Sequence, residues 1–340
     1  MKNIIISDVT LRDGNHAIKH QISKNIIRIY SKFAEKNKID ILEVGHGNGL
    51  GASSLTIGRS KISNVEAIKL AKKNLKNTKL SVHSIPGFST LDDVKSAIDN
   101  GVDLVRVGCN SSDIDIIERQ FLYCKKNKVE SWCVFMMFHQ IYSNNKYISI
   151  VKNLKKLGIK TFIIMDSAGI LLPEDVKKIF VNLKKLNVRS GFHGHNNLGC
   201  AISNTLEAIK NGAKIVDCAI RGFGAGAGNT QLELIVALLK RLKISNRFNI
   251  REFYKMSDEF IKILKKNNID YIDIFTNPIS ISTGLNGLFS GFSSKIKLFA
   301  EKYNVNSFDI SDLASEKQLA AGQDDLLMNI AHNLSIKKRK

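Results

Sequence analysis

Ile4-Ile5-Ile6-Ser7-Asp8-Val9-Thr10-Leu11-Arg12-Asp13-Gly14-Asn15-His16 opens on an apolar stretch, read as a strand over Ile4 to Val9, and ends in a guanidinium, a carboxylate and an imidazole. A strand buried on both faces reads as such an apolar run, and a glycine directly after it lets the chain turn away. The same grammar recurs down the chain. Short apolar segments at Ile39 to Val44, Leu80 to His83, Leu104 to Val107, Ser131 to Met136, Thr161 to Met165, Arg189 to His193 and Ile215 to Ala219 alternate with helical patterns. The helices are expected near Ser23 to Asn37, Val65 to Leu75, Thr90 to Asn100, Asp113 to Lys126, Ile148 to Leu157, Pro173 to Leu186, Gly199 to Asn211 and Gln231 to Leu242. Eight strand and helix alternations over residues 1–245 are the count of a (β/α)8 TIM barrel of the α/β class, although a doubly wound sheet shares the alternation.

The polar residues support the barrel. Asp13, His16, Glu43, His46, His83, Arg106, Asp166, Ser167, His193, His195 and Arg221 all fall at or just past the C-terminal ends of predicted strands, the face where barrel enzymes place their chemistry. Thr90 before Asp92 and Asp93 reads as a helix start, and Gly101, Gly158 and Gly212 sit where helices stop. After Ile244 the alternation ends. Residues 246–340 read as a helical domain for partner or dimer contact, with helices at Glu252 to Lys266, Gly284 to Tyr303, Ile310 to Leu319 and Gln323 to Leu334.

Composition narrows the class. The chain has 340 residues, 44% of them apolar, and no apolar run long enough to span a bilayer, so a cytoplasmic protein without membrane contact is expected. Its net charge of +20 is mostly lysine scattered over nearly every helix, as at Lys72-Lys73, Lys155-Lys156 and Lys265-Lys266, without interleaved aromatics. That is a solvated surface rather than a nucleic-acid footprint. The tail Lys337-Lys338-Arg339-Lys340 reads as a solvated end. The five cysteines form no CxxC pair and suit small core positions in a reducing compartment.

Chemistry is concentrated in two stretches. His193 and His195, at i and i+2 on a strand, point to one side as two ligands of a single ion must. With Asp13 they make a three-ligand set that leaves positions open for a chelating substrate and suits Mn²⁺ or a similar divalent cation. Arg12 is placed to hold a carboxylate or a developing oxyanion, and His16 to act as general base, with His20 a more distant competitor. Ser167, in Asp166-Ser167-Ala168-Gly169, can donate to a bound oxygen. The glycine-rich Gly222 to Asn229 matches neither nucleotide-binding spacing and reads as a close-packed turn over the site.

With these residues in place, the chain resembles the 4-hydroxy-2-oxovalerate aldolases. The resemblance runs through Ser7 to His20 (SDVTLRDGNHAIKH), Glu43 to Gly49 (EVGHGNG), Met165 to Gly169 (MDSAG), His193 to Leu198 (HGHNNL), Gly222 to Asn229 (GFGAGAGN) and Gly322 to Leu327 (GQDDLL). It implies a metal-dependent cleavage of a 4-hydroxy-2-oxo acid to pyruvate and an aldehyde, with Asp13, His193 and His195 holding the cation. It also implies His16 as base, Arg12 on the enolate, Ser167 on the substrate, and an acylating aldehyde dehydrogenase as partner. Where the family carries a substrate-side tyrosine this chain offers Phe289, and Ser81 to Gly87 is more polar than the family's usual lining; both would touch the aldehyde end.

Three other chemistries share the ligand set. A Claisen-type synthase normally carries Gln after the Asp-Gly pair, where this chain has Asn15-His16, and a hydroxymethylglutaryl-CoA lyase needs a cysteine in the glycine loop, which has none. A 2-His-1-carboxylate iron oxygenase is compatible with ligand count alone.

Overall fold

Eight strands pair in parallel, each with its sequence neighbours, and β8 closes on β1. They are β1 (Ile5–Leu11), β2 (Ile41–Val44), β3 (Lys79–Ser84), β4 (Leu104–Cys109), β5 (Glu130–Phe135), β6 (Thr161–Asp166), β7 (Arg189–Gly194) and β8 (Ile215–Cys218). The computed structural model describes residues 4–110, 116–142, 145–271 and 275–339. The closed order decides between the two folds that share the alternation, because a doubly wound sheet would leave two edges.

Side-chain alternation sorts the apolar residues into two layers. Leu104, Trp132, Val134, Ile163 and Ile215 fill the barrel interior. Their strand neighbours Val105, Cys133, Phe162 and Val216 pack outward against the helices. Each fully buried side chain of this size contributes roughly 1.5–3 kcal/mol. The barrel helices start and stop within a few residues of their expected ends. Ser23 caps Lys24–Lys36 by accepting from the amide of Ile26, and Thr90 and Asp93 form a reciprocal capping box on Leu91–Asp99. Gly101 follows at φ +94°, a conformation a side chain would resist. The start at Asp113 lies outside the described residues; the described helix there is Glu118–Lys126. All five cysteines are free, and all but Cys200 are buried.

Beyond the barrel, Ile250–Lys266 turns Phe253, Met256, Phe260 and Leu264 into the main core, so this helix packs on the barrel. A second core gathers Ile279, Leu288, Phe292, Ile296, Ile310, Leu327 and Ala331 with two residues of the barrel mouth, Met137 and Ala225. One expectation is corrected. The single helix predicted over Gly284 to Tyr303 is two, Pro278–Leu285 and Phe292–Tyr303. Gly287 breaks it at φ +61°, and the connecting Leu288-Phe289-Ser290 drops onto the barrel, where the amide of Ser290 donates to the carbonyl of Ser167 at 2.9 Å.

Candidate metal centre

The end of β1 is aimed by a buried polar network. The pairing register with β2 shifts between Asp8 and Leu11. Thr10 and Tyr30 donate to the two oxygens of Asp8 at 2.5 and 2.7 Å, while Thr10 accepts from the amide of Ile220 at 2.8 Å. Burial pushes the Asp8 carboxyl up to about 6 against these donors. Past this anchor the chain enters a tight 3-10 turn, Asp13–Ile18. Residues three apart on such a turn eclipse one another. Asp13 and His16 therefore face the same way, Nε2 to Oδ1 4.0 Å.

His193 is the penultimate residue of β7 and His195 lies just beyond its end, held by a bridge to Asn229. Asp13, His193 and His195 each offer one atom to a common point, all buried. Asp13 Oδ2 is 3.0 Å from His193 Nε2 and 3.8 Å from His195 Nε2, and the two Nε2 atoms are 3.3 Å apart. Ligands about 2.1 Å from one ion stand about 3.0 Å apart at right angles and about 3.4 Å apart at the tetrahedral angle, so two of the three separations match a coordination sphere and the third, between Asp13 and His195, is a few tenths of an ångström wider.

The donor chemistry fits a cation as well. Asp217 Oδ2 lies 2.9 Å from His193 Nδ1 and is placed to accept a hydrogen bond from an N–H there, the tautomer that leaves Nε2 as a lone pair directed at two other electron-rich atoms. Burial raises the pKa of Asp13, but Arg12 and then the imidazoles bring it well below the usual carboxylate range. Burial opposes charge on His193, yet Asp13 and Asp217 raise its pKa. Burial takes His195 down to about 3, so that imidazole is neutral, as a ligand must be.

Arg12 lies 3.6 Å from Asp13 and donates to the carbonyl of Gly47 at 3.2 Å, with its Nε 3.3 Å from Glu43. His16 is neutral at ordinary pH because burial lowers its pKa. It lines a cavity of about 430 Å³ with His20, Phe289, Ala225, Lys295 and Leu298. Phe289 presents an edge to it, ring centres 6.3 Å apart. His20 stacks on His46 at 3.7 Å, its Nδ1 accepting from the amide of Gly47. Ser167 is fully buried and accepts from the amide of Met137 at 2.9 Å, so its proton remains free to donate. The glycine loop is close-packed: a β-carbon at Gly224 would stand 2.5 Å from the side chain of Asn229.

Two residues escaped the sequence reading. Asp217 orients His193, and Asn229 donates to Asp13 Oδ2 at 3.1 Å. A carboxylate at the inward position of the short strand Ile215-Val216-Asp217-Cys218 was the available signal for the first. Of the polar stretch Ser81 to Gly87, Ser84 bonds to Gln120 at 2.8 Å, while His83 Nδ1 approaches Glu43 at 3.9 Å.

Comparison with known proteins gives the family and the fold. Residues 3–260 match the HMGL-like family and residues 274–336 the DmpG-like communication domain. A 4-hydroxy-2-oxovalerate aldolase of Pectobacterium atrosepticum is 37% identical over 336 residues, 98% of this chain and 96% of that one. One of Spirochaeta aurantia is 39% identical over 335 residues, covering 97% and 96%. Among solved structures, the carboxyl transferase domain of Rhizobium etli pyruvate carboxylase superposes with a TM-score of 0.83 at 15% identity, covering 99% of this chain and 61% of that one. The N-terminal domain of a putative aldolase from Bacteroides vulgatus gives 0.73 at 24%, covering 88% and 98%. At such identities the structural likeness speaks for the fold alone.

Proposed function

Because the chain belongs to the 4-hydroxy-2-oxovalerate aldolases, a group of carbon–carbon lyases, we propose that it cleaves a 4-hydroxy-2-oxo acid to pyruvate and an aldehyde through the residues gathered at its barrel mouth. The observation that carries this reading is the convergence of Asp13, His193 and His195 beside a neutral His16.

Asp13, His193 and His195 would hold a divalent cation, with Mn²⁺ our assignment because one oxygen and two nitrogens with open positions suit it. When bound, such an ion polarises the keto oxygen of the substrate and stabilises negative charge on it. His16 takes the proton of the C4 hydroxyl, the C3–C4 bond breaks, and the electron pair passes to C3 and the keto oxygen as the aldehyde leaves. Arg12 offers its guanidinium to the enolate where charge grows. A proton returned to C3 completes pyruvate. Ser167 is assigned to a substrate oxygen and Phe289 to the aldehyde end, an assignment supported by its place beside His16 in one cavity. Condensation of pyruvate with an aldehyde is the same path reversed.

We assign catalysis to residues 1–245 and contact to 246–340, the helix Ile250–Lys266 serving as the strap that joins them. The contact region leaves Ile281, Leu285, Phe308 and Leu313 exposed, which supports docking of an acylating aldehyde dehydrogenase or of a second copy as a homodimer. No described helix is long and apolar enough to cross a membrane, and we place the enzyme in the cytoplasm.

The direct test is pyruvate release from 4-hydroxy-2-oxo acids of increasing chain length, with and without added Mn²⁺. Stimulation by the ion and loss on chelation are expected; an unchanged rate after chelation rules the scheme out.

A further inference from the structure

Two of the three candidate ligands, Asp13 and His193, belong to a closed circuit of six side chains in which acidic and basic groups alternate. Asp13 meets His193 at 3.0 Å and His193 meets Asp217 at 2.9 Å. Asp217 is paired with Arg106, and Arg106 with Glu43. Glu43 returns to Arg12 at 3.3 Å, and Arg12 to Asp13 at 3.6 Å. Arg106 is wholly buried, so no substrate reaches it. Its two terminal nitrogens reach carboxylates on β2 and β8, strands that do not pair with β4, where it stands.

We propose that Arg106 is the positioning residue that keeps the cation half and the anion half of this site in register. On one side it neutralises and orients Asp217, which holds the proton of His193 on Nδ1 and so presents Nε2 to the ion. On the other it orients Glu43, which steadies the guanidinium of Arg12. A planar fork with fixed donors can span two carboxylates at once; the point charge of a lysine cannot. In a barrel interior with no bulk water, each carboxylate deprived of that fork loses the donor that fixes its orientation. The two ends of the circuit therefore depend on one side chain that touches neither the ion nor the substrate. This inference rests on the metal-centre reading above.

The test uses the full chain, stripped with chelator and titrated with Mn²⁺ by calorimetry, beside steady-state kinetics. The wild type is expected to bind one ion per chain. Arg106→Lys should weaken that binding by about 10–100-fold, the usual cost of losing support behind a ligand, and should also lower kcat when Mn²⁺ is saturating. The isosteric variants should split the two effects. Asp217→Asn should reproduce the loss of Mn²⁺ affinity, and Glu43→Gln should keep affinity within about threefold while kcat falls. In ¹⁵N spectra of the Mg²⁺-loaded chain, His193 should carry its proton on Nδ1 in the wild type and change its tautomer balance in Asp217→Asn. Should Arg106→Lys fail to fold, the two isosteric variants decide alone. Absence of Mn²⁺ binding by the wild type overturns the metal-centre reading and this proposal with it. Normal wild-type binding together with unchanged affinity in Arg106→Lys, or in Asp217→Asn, overturns this proposal only.

Discussion

Gly47 and His16 occupy one space: a β-carbon on residue 47 would lie 2.5 Å from Nε2 of His16. The same Gly47 carbonyl accepts from Arg12 at 3.2 Å. The candidate base and the candidate oxyanion donor are thus aligned by a backbone segment that must have no side chain.

Gly47→Ala should rotate His16 out of line. A displacement of about 1 Å at a reacting group costs on the order of 10²-fold, so kcat should drop by that much while Mn²⁺ binding stays intact. Calorimetry and pyruvate assays on the one variant separate these, and an alanine variant with full activity would show that His16 has room to spare.

His16→Ala removes the proton acceptor without touching the three ligands. Cleavage is expected to fall by about 10²-fold or more, with Mn²⁺ affinity close to wild type. A rate within about twofold of wild type transfers the base role to another group, His20 first, since its ring centre is 5.0 Å away.

His195→Ala leaves two of three ligands and should abolish Mn²⁺-stimulated pyruvate release. The neighbouring His193 keeps its contact with Asp217, so the fold should persist. Circular dichroism and a melting curve check that the loss is one of binding.

Tyr30→Phe withdraws a donor from the buried carboxylate of Asp8, at a cost of about 1–3 kcal/mol of stability. Asp8 also makes a pH signature. Its folded pKa of about 6 stands above the ordinary 3.8. Stability from protonating it is therefore fully present below about 4 and is lost as pH rises through 6. Against Asp8→Asn, which cannot titrate, the wild type should lose about 1.4 kcal/mol between pH 5 and 8. Parallel denaturation curves across that range would contradict the assignment.

Phe289→Ala enlarges the cavity in front of His16. The ratio of kcat/KM for a longer aldehyde over acetaldehyde in the condensation direction should rise by about 10-fold or more, the scale of a methylene or two in an apolar pocket. An unchanged ratio would remove Phe289 from the aldehyde end.

Several elements could be read in one dimension because their causes are local. Hydrophobic period set strands and helices to within a few residues, and Thr90 or Gly101 marked helix ends by capping chemistry that acts over one turn. The helix predicted through Gly287 failed for the opposite reason. Its apolar pattern is continuous, but Leu288-Phe289-Ser290 is buried against the barrel mouth rather than along a helix face, and the bond from Ser290 to Ser167 connects residues far apart in the chain.

Asp13, His16, His193 and His195 were legible from residue type and spacing, since strand alternation and a short turn orient side chains without help from the rest of the molecule. The tertiary structure alone decided that Asp217 backs His193, that Arg106 bridges Glu43 to Asp217, and that Gly47 makes room for His16. Each of those relationships joins strands or loops brought together only when the barrel closes. In that interior, where water cannot solvate them, charges separated by tens of residues must find one another.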